Sequence, residues 1–243
     1  EYKTGKLVLK KIPANSYTIG HNDDSDNQPR TVMTSGYWIG LFEVTKAQYA
    51  MVMGGTDTAT TPKNSVSYKT IRGTGDPTIE PTADVSFDNF MKVLCTKCVD
   101  AAGVTIKGFD LPTEVQWEIA ARADATTRYG TYLLNRHETV GTAENVADFA
   151  VTGTVAAVGT KCPNAWGLFD TAGNVAELCR DDYALAGDRT DVETPYSGTG
   201  ISKVVRGGDY SYSAADVSVA DRNTAMTSLG NARFGFRLVR TCP

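Results

Sequence analysis

The sequence predicts an α+β domain with a high share of irregular structure, and three observations predict it. Two Thr-x-x-Gln capping boxes, Thr45 with Gln48 and Thr113 with Gln116, open helical runs, and a third run carries apolar residues at helical spacing. β-Branched or alternating runs, Leu7 to Ile12, Val204 to Gly208 and Phe234 to Val239, read as short strands. Between them lie long stretches of Thr, Gly, Pro and Asp with no sustained period.

In chain order, Leu7 to Ile12 is the first strand and Tyr17 to Gly20 its expected hairpin partner. The acidic loop HNDDSDNQPR follows. Its Asp23, Asp24 and Asp26 lack the glycine and terminal Glu of a calcium loop, so it reads as a solvated turn. Thr31 to Ile39 returns as a strand. The helix capped by Thr45 carries Tyr49, Met51, Val52 and Met53 and stops at Gly54 and Gly55. Residues 54–82 read as a surface connection. Ser86 then opens an amphipathic helix with Phe87, Phe90, Met91, Leu94, Cys98 and Ala101 on one face, ending at Gly103. The helix opened by Thr113 buries Trp117, Ala120 and Ala121. Residues 122–160 are weakly patterned, with Val155 to Val158 a strand candidate, and Asn164 to Asp181 is a turn-rich unit.

At 243 residues, 41% hydrophobic and 21% charged, the chain can bury a sizeable core and shows one composition regime. A single domain over 1–243 is expected, with residues 1–6 as a tether. The net charge of -4 supplies no basic stripe, which argues against nucleic acid as a partner. No apolar run approaches the roughly 20 residues of a membrane helix. Cys95, Cys98, Cys162, Cys179 and Cys242 form no disulfide framework, and the CxxC of Cys95 and Cys98 lies on an apolar helix as core thiols. With only His21 and His137, a histidine-rich metal site is impossible.

The stretch between Arg206 and Arg237 differs from the rest. Firm strand signals bound it, yet from Asp209 to Ala232 there is no Lys, Glu, Gln or Trp, and Ser, Tyr, Ala, Asp, Asn and Thr dominate. That composition suits exposed, adaptable contacts better than a buried strand.

Several motifs in one order carry a resemblance. LPTEVQWEIAAR (Leu111 to Arg122), GLFDTAGNVAELCRD (Gly167 to Asp181), VVRGG (Val204 to Gly208) and FGFRLVR (Phe234 to Arg240) resemble the hallmarks of the formylglycine-generating enzyme or sulfatase-modifying-factor family, over roughly residues 5–240. The resemblance implies a variant of the C-type lectin fold. It also implies where the enzymes hold copper, between two cysteines after the RGG motif. Those positions are Tyr212 and Val217 here, and neither can replace a thiolate, so no copper is expected. A family calcium site falls on Asp170, Gly173, Val175 and Glu177, two carboxylates and two backbone carbonyls, making Ca²⁺ a candidate structural ion. A metal-free turn is the other reading, with Asp170 capping a backbone N-H and Glu177 in a salt bridge.

The variable proteins of diversity-generating retroelements form another branch of this resemblance. They end in an RGG to GFR segment where adenine-directed mutagenesis rewrites chosen codons. An Asn codon altered only at its adenines yields Tyr, Ser, Asp, Ala, Val, Thr, Gly, Leu and others, but never Lys, Glu, Gln, Trp or Met. Every residue from Asp209 to Ala232 except Met226 belongs to the accessible set. The resemblance therefore implies a non-enzymatic binding protein with a variable segment over 204–240. Its expected ligand contacts are Asp209, Ser211, Tyr212, Ser213, Ala215, Asp216, Ser218, Asp221, Asn223, Thr224, Leu229, Asn231 and Ala232. The implied partner is a protein or surface ligand, met by a monomer at the cell surface or outer membrane. Export as a lipoprotein is expected, with a lipid anchor upstream of Glu1 as the membrane attachment. An oxidase of the same fold with a non-standard metal site is the alternative.

Overall fold

The computed structural model describes residues 1–22, 27–73, 76–78, 88–100, 102–134, 137–142, 144–184, 194–213 and 216–241. The expectations for Asp23, Asp24, Asp26, Ser86, Phe87, Ala101, Ala215 and Cys242 lie outside the described residues.

The chain opens as one long bent hairpin. β1 (Leu9–Ile12) continues into β2 (Asn15–Ile19), and β3 (Arg30–Thr34) into β4 (Tyr37–Gly40). One register runs through both halves, from Leu9↔Gly40 to Ile19↔Arg30. The expected pairing of the first two strands with each other is therefore wrong. Pro13 has no N-H to donate, and at Gly36, at φ 89°, a Cβ would stand 3.0 Å from the Ala14 nitrogen, so both strands bend together instead of folding back.

α1 (Lys46–Met53) and α4 (Glu114–Arg122) carry complete capping boxes at Thr45 and Thr113, and Gly54 closes α1 in the left-handed conformation. The connection after α1 is not wholly irregular. It contains α2 (Tyr68–Arg72), one turn capped by Ser67 that buries Tyr68, Ile71 and Arg72 and pairs Arg72 with Asp110. A single turn shows no period to read. α3 (Phe90–Lys97) is capped by Asn89 and ends at Cys98, short of Gly103. The Asp100 carboxylate accepts from the Ala102 and Val104 amides, and Val99 bridges Thr105, so the chain turns back. Cys95 and Cys179 are buried thiols, and Cys98 and Cys162 are half-buried ones.

β5 (Phe109–Asp110) leads into α4. β6 (Thr131–Leu134), β7 (His137–Val140) and the short α5 (Val146–Phe149) occupy the weakly patterned stretch, while Val155 to Val158 is loop rather than strand. β8 (Ala176–Asp182), β9 (Ser202–Arg206), β10 (Arg222–Met226), β11 (Phe234–Gly235) and β12 (Val239–Arg240) complete the chain. Two four-stranded sheets result, ordered β1-β4-β12-β5 and β10-β9-β8-β11. The closing motif FGFRLVR is thus split between them. Phe90, Leu94, Leu111, Leu178, Val205 and Phe236 share the largest core, to which Phe90 and Phe236 add an edge-to-face contact. Residues 1–6 are not a loose tether, since Gln48 Nε2 donates to the Tyr2 and Lys6 carbonyls and Thr45 Oγ1 to that of Lys3.

Candidate functional site

β9 delivers the distinctive segment. At its end Gly207, at φ 90°, runs so close to Trp117 that a Cβ would stand 3.0 Å from Cζ2, so no side chain fits there. The chain then crosses a surface formed by the segment 209–213, the loop from Asp216 and the edge strand β10.

Bonds from outside the segment hold its backbone. Buried Arg206 donates to the carbonyls of Val219 (2.9 Å), Ala220 (2.8 Å) and Asp221 (2.9 Å), while its charge meets Glu118 on α4 at 2.5 Å. The Tyr210 amide donates to Asn174 O at 2.9 Å and the Val219 amide to Arg128 O at 2.9 Å. Farther on, Ser65 donates to Asn231 O at 3.0 Å and Asn64 Nδ2 to Ala232 O at 2.7 Å. Arg222 turns inward to pair with Glu114 through both of its nitrogens facing that carboxylate. Main-chain acceptors do not change when side chains do, so this path is independent of most residues displayed on it.

Of the expected contacts, Ser211, Ser213, Asp216, Asn223, Thr224, Leu229 and Ala232 are exposed, and Tyr212, Asp221 and Asn231 are half-buried. Two expectations are corrected. Asp209 is 2% exposed and accepts the Ser211 amide (2.8 Å) and hydroxyl (2.6 Å); Ser218 is 1% exposed and donates to Arg128 O at 2.9 Å. Both hold the loop; Ser218 offers no contact surface, and Asp209 meets the face only as part of the cavity lining. Val217 to Ala220 are buried with Ser218, and β10 is a strand, so the segment is not irregular throughout.

A cavity of about 130 Å³ opens on this face. It gathers Asp209, Tyr212, Asp221 and Asn223 with Arg222 and Phe234, neither of them among the expected contacts. Asn223 Nδ2 donates to the Tyr212 hydroxyl at 2.9 Å across its mouth. Arg233, exposed nearby, stands 3.9 Å from Asp209. Leu229, Asn231 and Ala232 lie outside that lining, toward Ser65. At the positions of the family's thiolates, the Tyr212 ring and the buried Val217 isopropyl group flank Gly208. Phenol and hydrocarbon do not bind Cu(I) as paired thiolates do.

The expected calcium residues make other contacts. Glu177 receives Arg237 at both oxygens (2.5 and 2.6 Å) and Trp117 Nε1 at 2.8 Å. Asp170 accepts the Gly159 amide at 2.6 Å, and its second oxygen has no hydrogen-bond partner. Gly173 holds a φ of 77° where a Cβ would meet Val151 O at 2.1 Å, and the Val175 amide donates to buried Glu43 at 3.1 Å. An ion needs free oxygens aimed at one point. With both Glu177 oxygens held by Arg237, Asp170 alone of the two carboxylates keeps an unpartnered oxygen, and Glu177 stands in the salt bridge that the metal-free reading describes.

Buried charges around this scaffold make stability pH-dependent. Burial alone would raise the Glu118 carboxyl, but Arg206 and Arg122 overcome it and hold it at about 2. Its contribution is complete above the unfolded value of about 4.3 and is lost as pH falls toward 2. Asp181 is pushed up to about 6, by burial first and by Glu114 next. It favours the folded state when protonated, so its contribution falls as pH rises from its unfolded value of about 3.9 through that upper value. The melting temperature should peak where these windows meet, at about pH 4. Thermal melts at about pH 2.5, 4 and 8 check it, and a monotonic rise to pH 8 contradicts it.

The chain is 33% identical over 140 residues to serine/threonine-protein kinase pkn1 of Chlamydia pneumoniae, covering 55% of this chain and 21% of the kinase. It is 35% identical over 147 residues to the formylglycine-generating enzyme of Streptomyces coelicolor, covering 54% of this chain and 46% of that enzyme. The matched stretches thus span less than half of either relative. Among solved structures, Treponema denticola variable protein 1 superposes with a TM-score of 0.74 at 28% identity, over 96% of this chain and 95% of that one. The α+β fold is the C-type lectin-like one expected from the motifs. With the sulfatase-modifying factor enzyme 1-like domain matching residues 6–242, nearly its whole length, the chain belongs to that family.

Proposed function

We propose that this chain is a non-enzymatic ligand-binding protein, receptor- or adhesin-like, whose segment 204–240 is diversified by a retroelement and displayed at the cell surface on a lipid anchor. The observation that carries the reading is the division between backbone and side chains. Arg206, Asn174, Arg128 and Ser65 hold the segment by its main chain, while Ser211, Asn223 and Thr224 project into solvent. The full-length likeness to a Treponema denticola variable protein supports it. Tyr212 serves as an aromatic anchor with low conformational cost, and the Ser, Asp and Asn residues around it as adaptable polar contacts, as in antibody paratopes. The partner is a protein or another surface ligand. Among the described residues no helix is long and apolar enough to cross a membrane, so the attachment proposed is the anchor.

The locus tests the diversification. A near-copy of the segment's coding repeat, differing where the copy has adenine, should stand beside a reverse transcriptase gene; an intact locus with neither overturns it. The binding face is tested by replacing Tyr212, Asp216 and Asn223 together with Ala. Stability should change by about 0.5 kcal/mol or less at each of the exposed positions Asp216 and Asn223 and by more at half-buried Tyr212, while binding of the ligand captured by the wild-type protein is lost. Retained binding removes the face from consideration. The relatives named formylglycine-generating enzymes favour an oxidase as second reading. Anaerobic loading with Cu(I) decides between them: no copper-dependent oxidation of a cysteine peptide is expected, and turnover would establish the oxidase.

A further inference from the structure

We propose that a second cavity, an open cleft lined by the N-terminal segment, α1 and α3, binds a single-chain anionic amphiphile, a long-chain fatty acid. This cavity measures about 570 Å³ and shares no lining residue with the one at Tyr212. Small-molecule pockets span about 300–1,000 Å³. Its walls include Leu9, Met51, Val52, Leu94, Ile106 and Phe109. Leu9, Val52 and Ile106 pack on the largest core and remain only half-buried, so the core is open at this end.

The charges around the cavity are of one sign. Lys6, Lys97 and Arg240 belong to its lining and no Asp or Glu does, in a chain whose net charge is -4. Lys6 meets Glu1 at 2.5 Å on the exposed surface. Lys97 donates to Val52 O at 2.5 Å and Arg240 Nε to Lys107 O at 3.0 Å, and no carboxylate of the described residues pairs with either cation. An ammonium carries three donors and a guanidinium five, so donors remain for a head-group carboxylate. Long basic side chains lay their stems on apolar surface and keep their charged ends at the rim. An acyl chain with an anionic end matches both features. A stable protein partner would instead bury about 1,200–2,000 Å² across a broad face, which a concave pocket does not offer.

Palmitate, kept below its micelle concentration and titrated against the full chain by displacement of a fluorescent fatty-acid probe, should bind saturably at one site. The uncharged alcohol of equal length should bind about tenfold more weakly, the scale of one charge-assisted hydrogen bond. Ile106→Trp fills the cavity and should lower palmitate affinity at least about tenfold. Met51→Trp, at an exposed rim position (58%), does the same without entering the core and guards against a misfolded Ile106 variant. Lys97→Glu combined with Arg240→Glu should weaken palmitate and leave the alcohol unchanged. Absence of saturable binding overturns the proposal, as does equal affinity for acid and alcohol, or undiminished binding in the folded filling variants. Binding of an acidic amphipathic peptide without palmitate reassigns the cavity to a protein partner and also overturns it.

Discussion

Arg206→Ala should lower stability by about 3–5 kcal/mol, the cost of stranding one partner of a buried ion pair. Glu118 is fully buried, and its remaining partners, Arg122 at 2.7 Å, the Gly20 amide and Asn27, do not replace the lost charge at 2.5 Å. The same substitution removes the donors that hold the Val219, Ala220 and Asp221 carbonyls. The segment should therefore loosen locally before the fold melts. Urea unfolding measures the first effect, and faster amide exchange at residues 217–222 the second. Arg206→Lys keeps the charge but not the fork and should fall between. A loss no larger than that of an exposed-face variant would remove Arg206 as the organiser of the segment.

Arg237→Ala should cost a similar amount, about 3–5 kcal/mol, for a different reason. Arg237 is the cation facing the buried carboxylates Glu177, Glu43 and Asp170. Glu43 is raised well above its ordinary value, by burial first and then by Asp170 and Glu177, with Arg237 the opposing charge. Asp170 is raised to about 6, chiefly by burial. Removing Arg237 takes away the guanidinium that opposes their mutual repulsion, leaving neutral donors and, at Asp170, Lys3, while Gly40 O and Phe169 O lose their donor. The variant's deficit should shrink as pH falls from about 8 to 5, because protonation neutralises the carboxylates. Parallel melts of wild type and variant check the sign, and a deficit that grows in acid contradicts it.

Residues that act within a few positions of each other are legible in the sequence. The capping boxes at Thr45 and Thr113 pair a hydroxyl with an amide three residues away, and both form. The order of motifs carried the family and fold, and the identity of Tyr212 and Val217 was enough to exclude a thiolate pair, since chemistry at those positions needs no coordinates. Side-chain exposure in the distinctive segment was legible only in part. Asn223 and Thr224 face solvent on an edge strand, but Asp209 and Ser218, equally polar, turn inward because Ser211 and the Arg128 carbonyl stand ready to bond them. Partners distant in sequence were invisible: Glu118 is 88 residues from Arg206, and Glu177 is 60 from Arg237. The bent hairpin, the early end of α3 and the commitment of Glu177 to Arg237 belong to the same class. Sequence patterns report local periodicity and local hydrogen bonds, whereas a buried charge or carbonyl is satisfied by whichever group the folded chain brings within about 3 Å. Only the tertiary structure decides which group that is.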